Sequence, residues 1–145
     1  MKWHQRFLDL AQFFARWSKD PSTQVGAVIV DGMRRVVGEG YNGFPRGIED
    51  TEERLNDRPT KYAHIVHAEP NAILNAIGPV AGCTIYTWPF PPCAECAKLI
   101  IQAGLARVVC PTATDEQRAR WGKSLDLAES LFREAGVVVE YVSGD

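Results

Sequence analysis

The sequence predicts an α/β fold, a three-layer sandwich in which a mixed sheet of about five strands lies between helices. Helical and strand-like apolar stretches alternate through its second half, which favours parallel strands joined by right-handed crossovers. Earlier, the apolar run 25–30 ends at Asp31 and Gly32, a turn pair that predicts a hairpin with residues 35–41. A length of 145 residues, 46% hydrophobic and 23% charged, fits a single domain spanning residues 1–145.

The first half of the chain is predicted to hold a helix, the hairpin, a long loop and a second helix. Apolar residues at helical spacing predict the first helix over residues 3–18, ended before Pro21 because proline disfavours helix in the residue that precedes it. Residues 42–62 are rich in glycine, proline and acidic residues and predict a loop with one helical turn at most. A second helix is predicted over residues 67–77, ended by Gly78.

Three strands and two helices are predicted for the rest of the chain, in alternation. The strands are expected at residues 83–88, 106–110 and 137–142, and the helices at residues 94–103 and 123–135. This order is typical of strand–helix–strand units, whose strands lie side by side in a sheet.

Two short motifs carry the chemistry. His67 and Glu69 form a His-x-Glu pair, and Cys93 and Cys96 form a Pro-Cys-x-x-Cys run that begins 26 positions after the histidine. This arrangement resembles the signature of zinc-dependent nucleobase deaminases. Catalytic zinc takes three protein ligands and keeps one open position, and one histidine with two cysteines supplies those three. Glu69 is then the candidate proton shuttle.

Other interpretations of the two motifs stay open at this point. The cysteine pair also suits a redox motif, and a structural zinc site is possible with Cys83 or Cys110 as a fourth ligand. A non-catalytic, zinc-stabilised binding module is a third interpretation. Cys83 and Cys110 begin and end predicted strands, where buried free cysteines are common, and the carboxylate of Glu69 disfavours the third interpretation, because a structural site needs no carboxylate beside its metal.

Charge and hydropathy indicate which partners to expect. The net charge is −2 and the isoelectric point about 5.9, so no nucleic-acid groove is expected. No apolar run reaches the roughly 18 residues that a membrane helix needs, and Met1–Arg6 lacks the pattern of a signal peptide. We therefore expect a soluble, cytoplasmic protein with no membrane partner.

Several segments together resemble the deoxycytidylate (dCMP) deaminase family of the zinc-dependent cytidine deaminase superfamily. Residues 19–27 are similar to the entry of that family's first strand, and residues 40–47 to its glycine-rich nucleotide loop. Residues 60–73 resemble its first zinc helix, and residues 93–104 its second, almost letter for letter. The similarity is close over about residues 7–110 and looser beyond.

The resemblance implies the cytidine deaminase-like α/β/α sandwich and the hydrolytic deamination of dCMP to dUMP and ammonia. It further implies one catalytic zinc ion per chain and a homo-oligomer. Its nucleotide effectors would be dCTP and dTTP, bound with Mg²⁺.

Individual site residues also follow from the resemblance. It implies that His67, Cys93 and Cys96 bind zinc and that Glu69 is the acid/base. It implies substrate contacts from residues of the nucleotide loop and the zinc helix: Tyr41, Asn42, Gly43 and Ala68. By residue type alone, Arg46 is a candidate phosphate partner, and Trp121, in the segment that replaces a tyrosine-bearing one of the family, is a candidate contact to the sugar or phosphate. An asparagine offers a sugar hydroxyl both a donor and an acceptor, and glycines let the backbone approach a phosphate closely.

Three departures from the family's pattern bear on the substrate. Residues 88–92 form a stretch that is one residue longer than usual, and residues 115–121 replace a tyrosine-bearing segment. The loop 43–61 contains no cysteine, so no second zinc is expected. The alternative function is therefore deamination of another amino-heterocycle: a modified cytosine nucleotide, a nucleoside or a base.

Overall fold

The computed structural model describes residues 2–143 and contains six helices and five strands. Met1, Gly144 and Asp145, which the predicted domain 1–145 includes, lie outside the described residues. In chain order the elements are α1 (Lys2–Ala15), β1 (Gly26–Val30), β2 (Val36–Tyr41), α2 (Glu52–Asn56), α3 (Arg58–His64), α4 (Ala68–Leu74), β3 (Thr84–Trp88), α5 (Ala94–Gln102), β4 (Arg107–Pro111), α6 (Asp115–Ala135) and β5 (Val138–Val142).

The strands form one mixed sheet in the order β2-β1-β3-β4-β5. Strand β1 is antiparallel to both of its neighbours, whereas β3, β4 and β5 run parallel. The predicted hairpin is confirmed: Gly26 pairs with Tyr41 and Val30 with Val36. Its turn is held by Asp31, whose carboxylate accepts bonds from the following backbone N–H groups.

Helices cover both faces of the sheet, so the predicted three-layer α/β/α sandwich is confirmed. Because strand side chains alternate between faces, Val28 and Tyr86 meet α1 while Ala27 and Ile85 meet the other helices. The helices on that second face are α4, α5 and α6, packed over a core of small and branched side chains. No helix of residues 2–143 is long and apolar enough to span a bilayer.

Four elements differ from the sequence-based prediction. Helix α1 ends at Ala15, and Trp17 lies beyond it with 54% of its surface exposed rather than on the buried face. Helix α4 ends at Leu74, because the N–H of Ile77 donates to Val37 of β2 instead of extending the helix. Residues 42–62 were predicted as a loop, but α2 lies within them and α3 begins there.

The fourth difference is the start of α6, which begins eight residues before the predicted position 123. Thr114 and Gln117 form a capping box: each side chain bonds to the backbone of the other residue. The two short helices are capped in a similar way, by the side chains of Thr51 and Asp57. Local capping thus orders segments that composition alone marks as loops.

Two glycines of β2 let α4 lie directly on the sheet. A Cβ added at Gly40 would stand 2.5 Å from the backbone nitrogen of Ala72 and 2.8 Å from the oxygen of Ala68, and one at Gly38 2.6 Å from the oxygen of Ala72. No side chain fits in that space, so glycine at these two positions allows α4 to approach the sheet this closely.

We predict that Gly40→Ala lowers the free energy of unfolding by about 1–3 kcal/mol, because the added methyl group overlaps the α4 backbone. Chemical denaturation measures the change. Gly32→Ala is the matched control, since a Cβ there meets nothing within 4 Å. Equal stability of Gly40→Ala and wild type would contradict the close contact.

Candidate active site

The candidate metal ligands stand at the beginnings of two helices on the same face of the sheet. His67 is the residue before the first turn of α4, and Cys93 is the equivalent residue of α5. Neither side chain caps its helix, so both are free to point elsewhere. Cys96 lies in the first turn of α5 and is buried.

These three side chains meet at one point. His67 Nδ1 lies 3.2 Å from Cys96 Sγ and 3.6 Å from Cys93 Sγ, and the three ligand atoms all lie within 4.8 Å of one another. Tetrahedral zinc with bonds of about 2.3 Å to sulfur and about 2.0–2.1 Å to nitrogen would place such atoms roughly 3.6 Å apart. The predicted ligand set therefore fits zinc in both chemistry and spacing.

The other two cysteines are not part of this cluster. Within residues 2–143, the group able to hold a metal consists of His67, Cys93 and Cys96. Cys83 lies just before β3 and Cys110 inside β4, each in the apolar core. A four-ligand structural site that uses either cysteine is therefore not formed, and three ligands leave one coordination position for a water molecule.

Hydrogen bonds within the cluster shift the pKa values of its three groups in different directions. Bonds from Cys96 and then His67 lower the pKa of Cys93 to about 4, against the cost of its burial. The bond to Cys93 raises the pKa of His67, and the same pairing with Cys93 raises that of Cys96. The protons that link these groups are the ones that a bound metal ion displaces.

Glu69 lies beside the cluster, in the first turn of α4, with only 3% of its surface exposed. Burial raises the pKa of its carboxyl group, and the nearby Cys93 adds to this, while His67 opposes it. A raised pKa makes this carboxyl group better suited than an ordinary carboxylate to release a proton as well as to take one up.

A cavity of about 280 Å³ opens on the cluster and on Glu69. Three of the six predicted substrate contacts line it: Asn42, Ala68 and Trp121. The rest of the wall combines apolar side chains with a charged pair: Asp20, Thr23, Val25, Lys61, Tyr62, Ile65, Phe90, Pro91 and Leu125.

The structure places the other three predicted contacts outside this cavity. Tyr41 is the last residue of β2, where strand alternation turns its ring outward against Trp17, 6.0 Å away between ring centres. Gly43 forms a two-way backbone bridge with Val66. The guanidinium of Arg46 donates to Asn75 at 3.4 Å, at the end of α4 remote from Glu69.

Sequence reasoning missed the buried ion pair in the cavity wall. Lys61 Nζ lies 3.0 Å from Asp20 Oδ1, and both side chains are at most 5% exposed. The two residues are 41 positions apart, so no local periodicity could pair them. The one signal in the sequence was that both fall in segments that resemble the family.

Aromatic side chains separate the cavity from a second one of about 460 Å³. Phe90 and Trp121 line both cavities, with their ring centres 5.1 Å apart. Arg120 stacks over Trp121 at 4.6 Å and lines only the second cavity. The lengthened stretch 88–92 and the unusual segment 115–121 thus meet at this boundary.

Comparison with known proteins identifies the family. The family model described as "Cytidine and deoxycytidylate deaminase zinc-binding region" matches residues 1–112. The chain belongs to this family. It is 43% identical to an uncharacterized deaminase in the luxG 3′ region of Aliivibrio fischeri, over 99% of this chain and 96% of the other. It is 46% identical to human deoxycytidylate deaminase, over 94% and 78% of the two chains.

A solved structure supports the fold. The chain of the cyanophage S-TIM5 dCMP deaminase, in complex with dCMP and dUMP, superposes with a TM-score of 0.74 and 24% identity over 95% of both chains. The predicted deaminase family and its α/β/α fold are therefore confirmed, and the chain is a zinc-binding deaminase by family and by its His/Cys/Cys group.

We predict that Cys96→Ala removes the metal, because two ligands of the three do not hold zinc tightly. Elemental analysis of the purified variant is expected to give well under one zinc per chain, with a lower melting temperature than wild type. Cys83→Ala is the matched control and keeps its zinc. Full zinc occupancy in Cys96→Ala would remove Cys96 from the ligand set.

Proposed function

We propose that this chain catalyses the hydrolytic deamination of dCMP to dUMP and ammonia. The proposal is supported by relatives named deoxycytidylate deaminase, which include the human protein at 46% identity. It is also supported by a cavity lined by His67, Cys93 and Glu69, with Cys96 completing the group of metal ligands.

The observation that carries the proposal is the buried carboxyl group of Glu69 beside a three-ligand metal site. His67, Cys93 and Cys96 would hold zinc, which would supply an activated water molecule as the nucleophile. Glu69 would take one proton from the attacking water as the water oxygen bonds to C4 of the ring, and would deliver that proton to ring N3. Glu69 would then carry the remaining proton of that oxygen to the amino group, so that the C4–N4 bond breaks, the carbonyl group of dUMP forms at C4 and ammonia leaves.

In this proposal, the backbone of α4 binds the carbonyl group of the pyrimidine base. Ala68 is the first residue of α4, is fully buried and lines the cavity. Its N–H is one of the four at a helix start that have no acceptor inside the helix. We assign this N–H to the carbonyl oxygen O2 of the pyrimidine.

The aromatic wall fits the ring of the substrate. Phe90 and Trp121 are half-buried and face the cavity, which leaves apolar surface available for stacking. The remaining expectations, homo-oligomer formation, control by dCTP and dTTP with Mg²⁺, and a cytoplasmic location, stay predictions.

We predict that Glu69→Gln keeps one zinc per chain but lowers kcat by about 10²–10⁴-fold, because only proton transfer is lost. Ammonia release measures turnover, and elemental analysis measures zinc. Glu95→Gln, an exposed glutamate in the first turn of α5, is the matched control with near wild-type activity. Wild-type turnover by Glu69→Gln would overturn the role of Glu69.

A substrate screen tests the specificity. We expect ammonia release to be fastest with dCMP in a panel that also holds CMP, dCTP, 5-methyl-dCMP, deoxycytidine and guanine. Activity confined to the unphosphorylated compounds would overturn the nucleotide assignment. A preference for 5-methyl-dCMP would instead favour the alternative, deamination of a modified cytosine nucleotide.

A further inference from the structure

Asp20 and Lys61 form a buried ion pair that the stability of the fold does not require. The two residues are 7% and 4% exposed, and their side chains face the cavity that holds Glu69. Burying two charges costs several kcal/mol per ion, and apolar replacements of such pairs are often neutral or stabilising. A function in the cavity would explain why the pair is there.

The neighbouring Asn42 has its amide fixed by the backbone. The N–H of Val25 donates to it at 2.9 Å, so the atom on that side must be the oxygen, Oδ1. Nδ2 on the other side donates to the carbonyl of Thr23 at 2.9 Å and to Asp20 at 3.3 Å. Both amide hydrogens are therefore used, and the side chain has only one lone pair of Oδ1 to offer a ligand.

Lys61 has the donors that Asn42 lacks. Its ammonium carries three N–H groups, and among the side-chain hydrogen bonds of residues 2–143 it makes one, to Asp20. Asp20 accepts from both Lys61 and Asn42, so a single carboxylate holds the two side chains next to each other in the cavity wall.

We propose that Lys61, positioned by Asp20, binds a sugar hydroxyl of the substrate: Lys61 donates to the hydroxyl oxygen, and the hydroxyl donates to Asn42 Oδ1. This rests on the proposed function, because it requires a nucleotide in the cavity. In dCMP the only sugar hydroxyl is the one at the 3′ carbon.

A phosphate group does not match this pair. A phosphate dianion has no proton to donate to Asn42 Oδ1, and it would approach the carboxylate of Asp20. A hydroxyl group both donates and accepts, which is what the two side chains offer together. The sugar hydroxyl is therefore favoured over the 5′-phosphate as the group next to Lys61.

The test removes the hydroxyl from the ligand and the charge from the protein. The ratio of kcat/KM for dCMP to that for 2′,3′-dideoxy-CMP is measured in wild type, Lys61→Met and Lys61→Gln. Calorimetry with dUMP and 2′,3′-dideoxy-UMP measures the same discrimination without chemistry. Lys98→Met, which changes an exposed lysine of α5, is the control, and circular dichroism with zinc analysis checks that each variant is folded.

Wild type and Lys98→Met are expected to favour the hydroxylated ligand by about 10- to 100-fold in both measurements, as for a hydrogen bond to a charged donor. Lys61→Met is expected to lose most of this preference, and Lys61→Gln, which keeps a neutral donor, to retain part of it. If Lys61→Met does not fold, the proposal is judged on whether Lys61→Gln loses part of the preference for the hydroxylated ligand.

An unchanged preference in a folded Lys61 variant, or no preference in wild type, overturns the assignment of Lys61. Failure of the proposed function gives a different result. Wild type would then bind dUMP with the hydroxyl preference yet release no ammonia from dCMP. If it neither binds dUMP nor acts on dCMP, both proposals fall.

Discussion

The site depends on the close approach of two helix starts on one face of the sheet. His67 and Cys93 each precede a first turn, and Cys96 lies within one, so short local segments fix all three ligand directions. Gly38 and Gly40 then allow the backbone of α4 to lie against β2. The cluster forms because both helices are placed by the same sheet, and small shifts of α4 would separate nitrogen from sulfur.

The cavity brings this cluster together with segments from most of the chain. The loop before β1, the residue after β2, helix α3, the loop before α5 and helix α6 each contribute a wall. Most of these walls are apolar, so the few charged groups inside act in a medium that screens them weakly. Phe90 and Trp121 close this cavity on the side away from the metal ligands that faces the second cavity.

The sequence predicts which residues lie together where their spacing is local. The ligands and Glu69 lie at fixed spacings around two helix starts, so a motif describes them well. Tertiary structure decides the rest: strand alternation turns Tyr41 away from the cavity, and Lys61 pairs with Asp20, which is 41 positions away in the sequence. The start of α6 is a different case, because the capping residues Thr114 and Gln117 are visible in the sequence and predict a helix from Asp115.

The two buried carboxylates of the cavity differ in their partners, and this difference divides their roles. Asp20 accepts from the backbone N–H groups of Ser22 and Thr23 and from the side chains of Lys61 and Asn42. Four donors hold it in one orientation, so it is suited to positioning its neighbours. For Glu69, burial raises the pKa, the nearby Cys93 raises it further, and His67 lowers it. Of the two acids, Glu69 is the one that lies beside the metal-ligand group, and this placement is why we propose it for proton transfer.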